Sequence, residues 1–128
     1  MQIGFIGLGK LGMPCAETMA EKGHVVEGYD TENKFSDLIN IQKNIKSCVS
    51  NKEIVFVAVP TPHDSEYDGS MPSAHLEPKD FNYDIVEKVI AEANMHMNKE
   101  QLLVLISTVL PGTTRRQFVN LVTNTRFV

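Results

Sequence analysis

Cysteine is scarce in this chain of 128 residues: Cys15 and Cys48 are the two it has. Two thiols so far apart make no disulfide framework, which excludes the small stapled scaffolds of secreted domains. No apolar run approaches the roughly 20 residues of a membrane helix. Basic residues do not dominate either. Twelve Lys and Arg stand against sixteen Asp and Glu, a net charge of −4. The basic patch of a nucleic-acid binder is missing, so no nucleic-acid partner is expected. The first apolar run begins almost at residue 1 and leaves no room for a signal peptide. The expected setting is cytoplasmic, with reduced thiols and no membrane partner. Internal repeats and low-complexity tracts are absent as well. The remainder, 42% hydrophobic and 22% charged, is the composition of one globular domain with a real core.

Extended apolar runs and helical patterns alternate along this domain. Strands are expected at residues 2–6, 25–29, 54–59 and 102–106, with the start of a fifth at 126–128. Helical spacing predicts helices over 11–22, 81–94 and 113–122. Gly23 closes the first. The inward positions of the second are Phe81, Ile85, Val86, Val89, Ile90 and Ala93; those of the third are Phe118, Leu121 and Val122. Shorter helical turns are expected near 37–41 and 45–49. Residues 54–59, apolar throughout, suit a strand buried on both faces. The fold class is therefore α/β: a Rossmann-like doubly wound parallel sheet over 1–128, truncated after about five strands. Its unfinished edge beside 102–106 is open to a second copy of the chain, giving a homodimer.

The most informative segment is Gly7-Leu8-Gly9-Lys10-Leu11-Gly12, set between the first strand and the first helix. Asp30 stands eighteen residues past Gly12, at the end of the second strand. Glycines, strand, helix and acid together form the dinucleotide-binding fingerprint. Gly7 allows the tight turn, Gly9 lets a pyrophosphate approach the backbone, and Gly12 lets the helix pack close. The helix N-terminus offers free N–H groups and partial positive charge to phosphates. Asp30 can accept from ribose hydroxyls and repel a 2′-phosphate, which favours NAD over NADP. Lys34 lies nearby and weighs the other way. The competing reading is a glycine turn with a purely structural role.

Ligands of open parallel sheets sit beyond the carboxyl ends of the strands. Two further segments reach that edge. Val59-Pro60-Thr61-Pro62 is either a stiff wall for the adenosine or a plain proline stop to the strand. Ser107 and Thr108 either donate to a nicotinamide, ribose or substrate oxygen, or cap the next helix. The intervening loop from Pro60 to Lys79 carries Asp64, Glu66, Asp68, Gly69, Ser70, Pro72 and Pro78. A loop so long is functional or disordered. With His63 and His75, its acids match no metal-ligand spacing; a solvated acidic loop is the reading taken. Arg115 and Arg116 are read as surface residues, with a phosphate contact as the alternative.

GFIGLGKLGMPCAETMAEKGHVVEGYD, VFVAVPTP, YDGS and ISTVLPGT, spread over residues 2–114, resemble the NAD-binding domain of the UDP-glucose/GDP-mannose dehydrogenases. The resemblance implies NAD contacts at Gly7, Leu8, Gly9, Lys10, Leu11, Gly12, Asp30, Val59, Pro60, Thr61, Ser107 and Thr108. Lys34 is counted with them, being adjacent to the position where many family members carry a basic residue; here that position is Phe35. The resemblance gives Thr108 a catalytic role of orientation, toward a substrate oxygen or water. It implies oxidation of a nucleotide sugar's primary alcohol to a carboxylate with two NAD, through a cysteine thioester assisted by a lysine and an aspartate, and a place in polysaccharide biosynthesis. The family's nucleophilic cysteine, its lysine and its sugar-nucleotide domain are not matched. Neither Cys15 nor Cys48 fits the nucleophile's motif. The expectation is thus a cofactor-binding part, inactive alone, with the nucleotide sugar a partner of a longer form only. Two alternatives stand beside it: a β-hydroxyacid dehydrogenase cofactor domain, whose glycine turn reads alike, and a non-catalytic NAD-binding module.

Overall fold

The structure, a computed structural model, describes residues 1–128 apart from Asp68, Met71, Ser73 and Pro78. Among the described residues six strands form one parallel sheet: β1 (Gln2–Ile6), β2 (Val25–Tyr29), β3 (Asn40–Ile41), β4 (Ile54–Val57), β5 (Leu102–Leu105) and β6 (Arg126–Phe127). Their spatial order is β3-β2-β1-β4-β5-β6, and all neighbours run parallel. Three α-helices connect them: α1 (Gly12–Glu21), α2 (Ile45–Val49) and α3 (Asp84–Met95). The doubly wound sheet expected from the sequence is present.

Side-chain alternation along β1 explains the two layers. Ile3 and Phe5 face one side and pack with Ala16 of α1, Val26, Leu8 and Ile39. Ile6 faces the other side, where Val55, Val57, Leu103, Val86 and Ile90 close the larger core with α2 and α3. Fully buried residues such as Val55 and Leu103 each contribute about 1.5–3 kcal/mol relative to exposure. α1 ends where Gly23 N–H donates to Ala20 O (3.0 Å) and His24 N–H to Met19 O (3.3 Å), the paired bonds of a glycine-closed C-terminus.

Several expectations shift in detail. The helical turn expected at 37–41 is not helical: residues 37–39 bend and Asn40–Ile41 form strand β3. Leu38 points out and Ile39 in, and the Gln42 N–H donates to Gly28 O at 2.7 Å. The free edge of β2 captures this segment. The sheet thus has one strand more than the four and a start that were expected. β4 ends two residues early, because the Val59 N–H leaves the ladder for the Ser107 hydroxyl. β5 likewise stops at Leu105, since Ile106 and Ser107 both donate to Val57 O. α3 begins three residues late: Asp80 takes the Phe81 N–H and Asn82 the Asp84 N–H, so side chains replace the first turn. Residues 113–122 form a wide π turn (Thr114–Phe118) and a 3₁₀ turn (Val119–Leu121); Phe118 and Val122 still point inward. The edge beside β5 is occupied by β6, so the open edge passes to β6.

Candidate functional site

The carboxyl ends of β1, β2, β4 and β5 meet α3 around a cleft of about 540 Å³. The glycine turn forms its floor. Gly7 has φ 97°, and a Cβ there would stand 2.3 Å from Ala58 O. At Gly12 a Cβ would stand 1.9 Å from Gly7 O. Both positions need glycine for the protein's own packing. Gly9 differs: a Cβ would meet nothing within 4 Å, and Gly9 lines the cleft. Packing leaves this glycine unexplained, whereas a group lying on the backbone would explain it. The cradle therefore fits a dinucleotide diphosphate at the start of α1.

Asp30 holds this turn in place. Its Oδ2 accepts the Leu8 N–H at 2.8 Å and its Oδ1 accepts the Glu32 N–H at 2.9 Å. Each carboxylate oxygen has further lone pairs for a ligand hydroxyl. Sequence reasoning gave Asp30 to the ribose alone and missed that it also organises the glycine turn. Lys34 lines the cleft but lies 3.3 Å from Glu32, so its charge is partly answered from within the chain.

The two expected loops are joined by Ser107. Its Oγ accepts the Val59 N–H at 2.9 Å and donates to Val59 O at 2.8 Å. Ser107 lines the cleft as expected for a contact, and its hydroxyl also clamps the β4 exit to the β5 exit. Thr108, exposed beside it, lines the cleft with Val59, Pro60 and Thr61. α3 supplies a wall that was not foreseen. Ile85 and Val89 line the cleft, and Ile85 is 42% exposed rather than buried in the core. The same helical stripe serves core and cleft, so periodicity could not separate them.

Of the expected contacts, Lys10 and Leu11 are in the cleft wall, while Leu8 and Gly12 are not. Leu8 turns its side chain into the core against Gly28 and is 1% exposed; it reaches the site only through its N–H. Gly12 is buried under Gly7 O.

Among the described residues, the loop's acids Asp64 and Glu66 do not line the cleft. Asp64 pairs with Lys79 at 2.6 Å, and the Lys79 hydrogen bond holds the Asp64 carboxyl below its ordinary value while raising Lys79. Tyr67 O–H donates to Glu77 O, and Asn82 N–H to Pro62 O. His63 sets its ring edge-on to Phe81. Asp68 and Pro78 lie outside the described residues, and so does part of the YDGS motif. Among the described residues no three His, Cys, Asp or Glu come together as metal ligands. Burial pushes the Cys48 thiol up to about 12, which removes it as a nucleophile. Cys15 sits on α1, away from the cleft wall. Arg116 donates to Pro111 O and Arg115 lines a separate groove. Among the described residues no helix is long and apolar enough to cross a membrane.

Comparison with known proteins agrees with this geometry. The family model described as "UDP-glucose/GDP-mannose dehydrogenase family, NAD binding domain" matches residues 31–127. The match leaves out the glycine turn and Asp30. The GDP-mannose 6-dehydrogenase of Pseudomonas aeruginosa is 26% identical over 95% of this chain and 32% of its own length. The crystal structure of GDP-mannose dehydrogenase from that organism superposes with a TM-score of 0.78 at 20% identity, over 99% of this chain and 35% of that one. The 3-hydroxyisobutyrate dehydrogenase of Mycobacterium tuberculosis reaches 0.73 at 17% identity, over 98% and 38%. The fold alone therefore does not separate the two dehydrogenase groups, whereas the family match does. The chain spans about a third of the length of these relatives. It belongs to the UDP-glucose/GDP-mannose dehydrogenase family and carries that family's NAD binding domain.

Proposed function

We propose that NAD lies across the carboxyl ends of the strands, with its diphosphate over Gly9, Lys10 and Leu11 and its adenosine ribose on Asp30. The observation that carries this reading is Gly9, a glycine on the floor of the cleft with open space where a Cβ would be. Ile85 and Val89 offer apolar contact to the adenosine half, and the nicotinamide half extends toward Thr108. Bound NAD supplies a hydride acceptor. This chain's residues bind and orient it: Asp30 receives ribose hydroxyls, Ser107 fixes the β4 and β5 exits, and Thr108 presents a hydroxyl to a substrate oxygen or water.

The parent activity in this reading is oxidation of a nucleotide sugar's primary alcohol, in polysaccharide biosynthesis. The nucleophile and the sugar-nucleotide contacts belong to a longer form. The two free thiols, Cys15 and Cys48, suit a reducing, cytoplasmic setting. A homodimer through the outer edge of β6 belongs to the same reading; light scattering that finds a monomer at every concentration would remove it. Calorimetry on the chain tests the core of the proposal: NAD should bind more tightly than NADP. Equal affinities would remove the role given to Asp30, and no binding of either would remove the site. The domain alone should not oxidise UDP-glucose; turnover by it would mean that a nucleophile has been overlooked.

A further inference from the structure

We propose that Tyr83 is a positioning residue for the nicotinamide half of the cofactor, acting through the turn that carries Thr108; this rests on the NAD reading above. Tyr83 is 6% exposed, yet its hydroxyl is bonded in both directions. It donates to Asp80 Oδ1 at 2.5 Å and accepts the Leu110 N–H at 3.0 Å. Its ring stands edge-on to buried Phe118, with centroids 5.5 Å apart. Asp80 Oδ1 also takes the Phe81 N–H at 2.7 Å. A short chain of hydrogen bonds therefore runs from the start of α3 to the turn after β5.

That turn is held at two points. Ser107 ties its front to Val59, and Tyr83 ties its back at Leu110. Thr108 and Val109 are the residues between the two anchors. With both anchors in place, the Thr108 hydroxyl has little freedom to leave the cleft wall. An aromatic ring without the oxygen would leave the half-buried Leu110 N–H without its acceptor, and the turn could relax toward water. Chained hydrogen bonds also polarise one another, so the Asp80 carboxylate strengthens the grip of the hydroxyl. At the adenosine side Asp30 uses none of these bonds, and the Tyr83 ring against Phe118, which keeps the start of α3 and with it Ile85 and Val89 in place, is retained in Tyr83→Phe. Loss of the tyrosine oxygen should therefore be felt at one end of the dinucleotide only.

The test is calorimetric titration of the chain with NAD and with AMP, which lacks the nicotinamide half. Tyr83→Phe is expected to bind AMP within about twofold of the wild type and NAD about tenfold more weakly, the cost of one hydrogen bond left unmade. Asp80→Ala removes the acceptor of the hydroxyl without touching the core and is expected to act in the same selective sense. Asp80→Asn, which keeps an acceptor, is expected to restore NAD binding. Equal weakening for both ligands would make Tyr83 a merely structural residue and overturn the proposal, as would unchanged NAD affinity in both Tyr83→Phe and Asp80→Ala. A wild-type chain that binds neither ligand would overturn the cofactor reading, and the proposal with it.

Discussion

Gly9 and Gly12 belong to one motif, yet the structure gives them opposite consequences. At Gly12 an added Cβ would lie 1.9 Å from a backbone oxygen, roughly half an ordinary contact distance. Backbone cannot rotate away as a side chain can, so α1 would have to lift from the glycine turn. Overpacking of this kind costs about 1–3 kcal/mol. For a domain of this size each kcal/mol is worth about 3–5 °C, so Gly12→Ala should lower the melting temperature by about 3–15 °C. At Gly9 the same Cβ meets nothing, and the change should stay within about 0.5 kcal/mol. Its effect should fall on the ligand instead, because the methyl group occupies the approach of the diphosphate. A loss of NAD affinity of at least about tenfold is expected. Thermal unfolding followed by circular dichroism, with calorimetry for binding, measures both. Gly9→Ala that destabilises as much as Gly12→Ala, or that binds NAD like the wild type, would refute the reasoning.

Three further outcomes follow from the same geometry. Asp30→Ala leaves the Leu8 N–H without its acceptor; it should cost about 1–3 kcal/mol in urea unfolding and abolish the preference for NAD over NADP in calorimetry. Ser107→Ala unclamps Val59 from the β5 exit and should cost about 1–2 kcal/mol while weakening NAD binding; unchanged affinity would separate the clamp from the site. The Asp64–Lys79 pair closes the long loop, and its pH dependence has a defined sign. Asp64 is depressed below 3.8, so its contribution holds above that value and is lost as pH falls through the lowered one. Lys79 is raised above 10.5, so its contribution holds below that value and is lost as pH rises through the raised one. Amide exchange within 62–80 should therefore be slowest, relative to the rest of the chain, between those limits, and Asp64→Asn should remove the dependence at the acid end.

What could be read from the sequence was local or periodic. The glycine turn, the acid at Asp30 and the four longer strands each announce themselves within a short window. The bonds that make the site cohere do not. Leu8 meets Asp30, Val59 meets Ser107, and Tyr83 meets Leu110 across separations of 22, 48 and 27 residues, and no spacing rule marks such pairs. β3 escaped for a related reason: two residues in a short mixed stretch become strand because β2 offers them an edge. Ile85 was assigned to the core because one apolar stripe of α3 faces both the core and the cleft. Leu8 was counted with its glycine neighbours, although the turn sends its side chain inward and only its N–H toward the site.

The central claim is where the dinucleotide lies. A titration of the ¹⁵N-labelled chain with NAD, followed by amide chemical shifts, tests it most directly. Saturable shifts should concentrate at Gly9, Lys10, Leu11, Asp30 and Thr108, and leave Thr114, Arg115 and Phe127 in the separate groove unmoved. Shifts centred on that groove, with the glycine turn silent, would contradict the account.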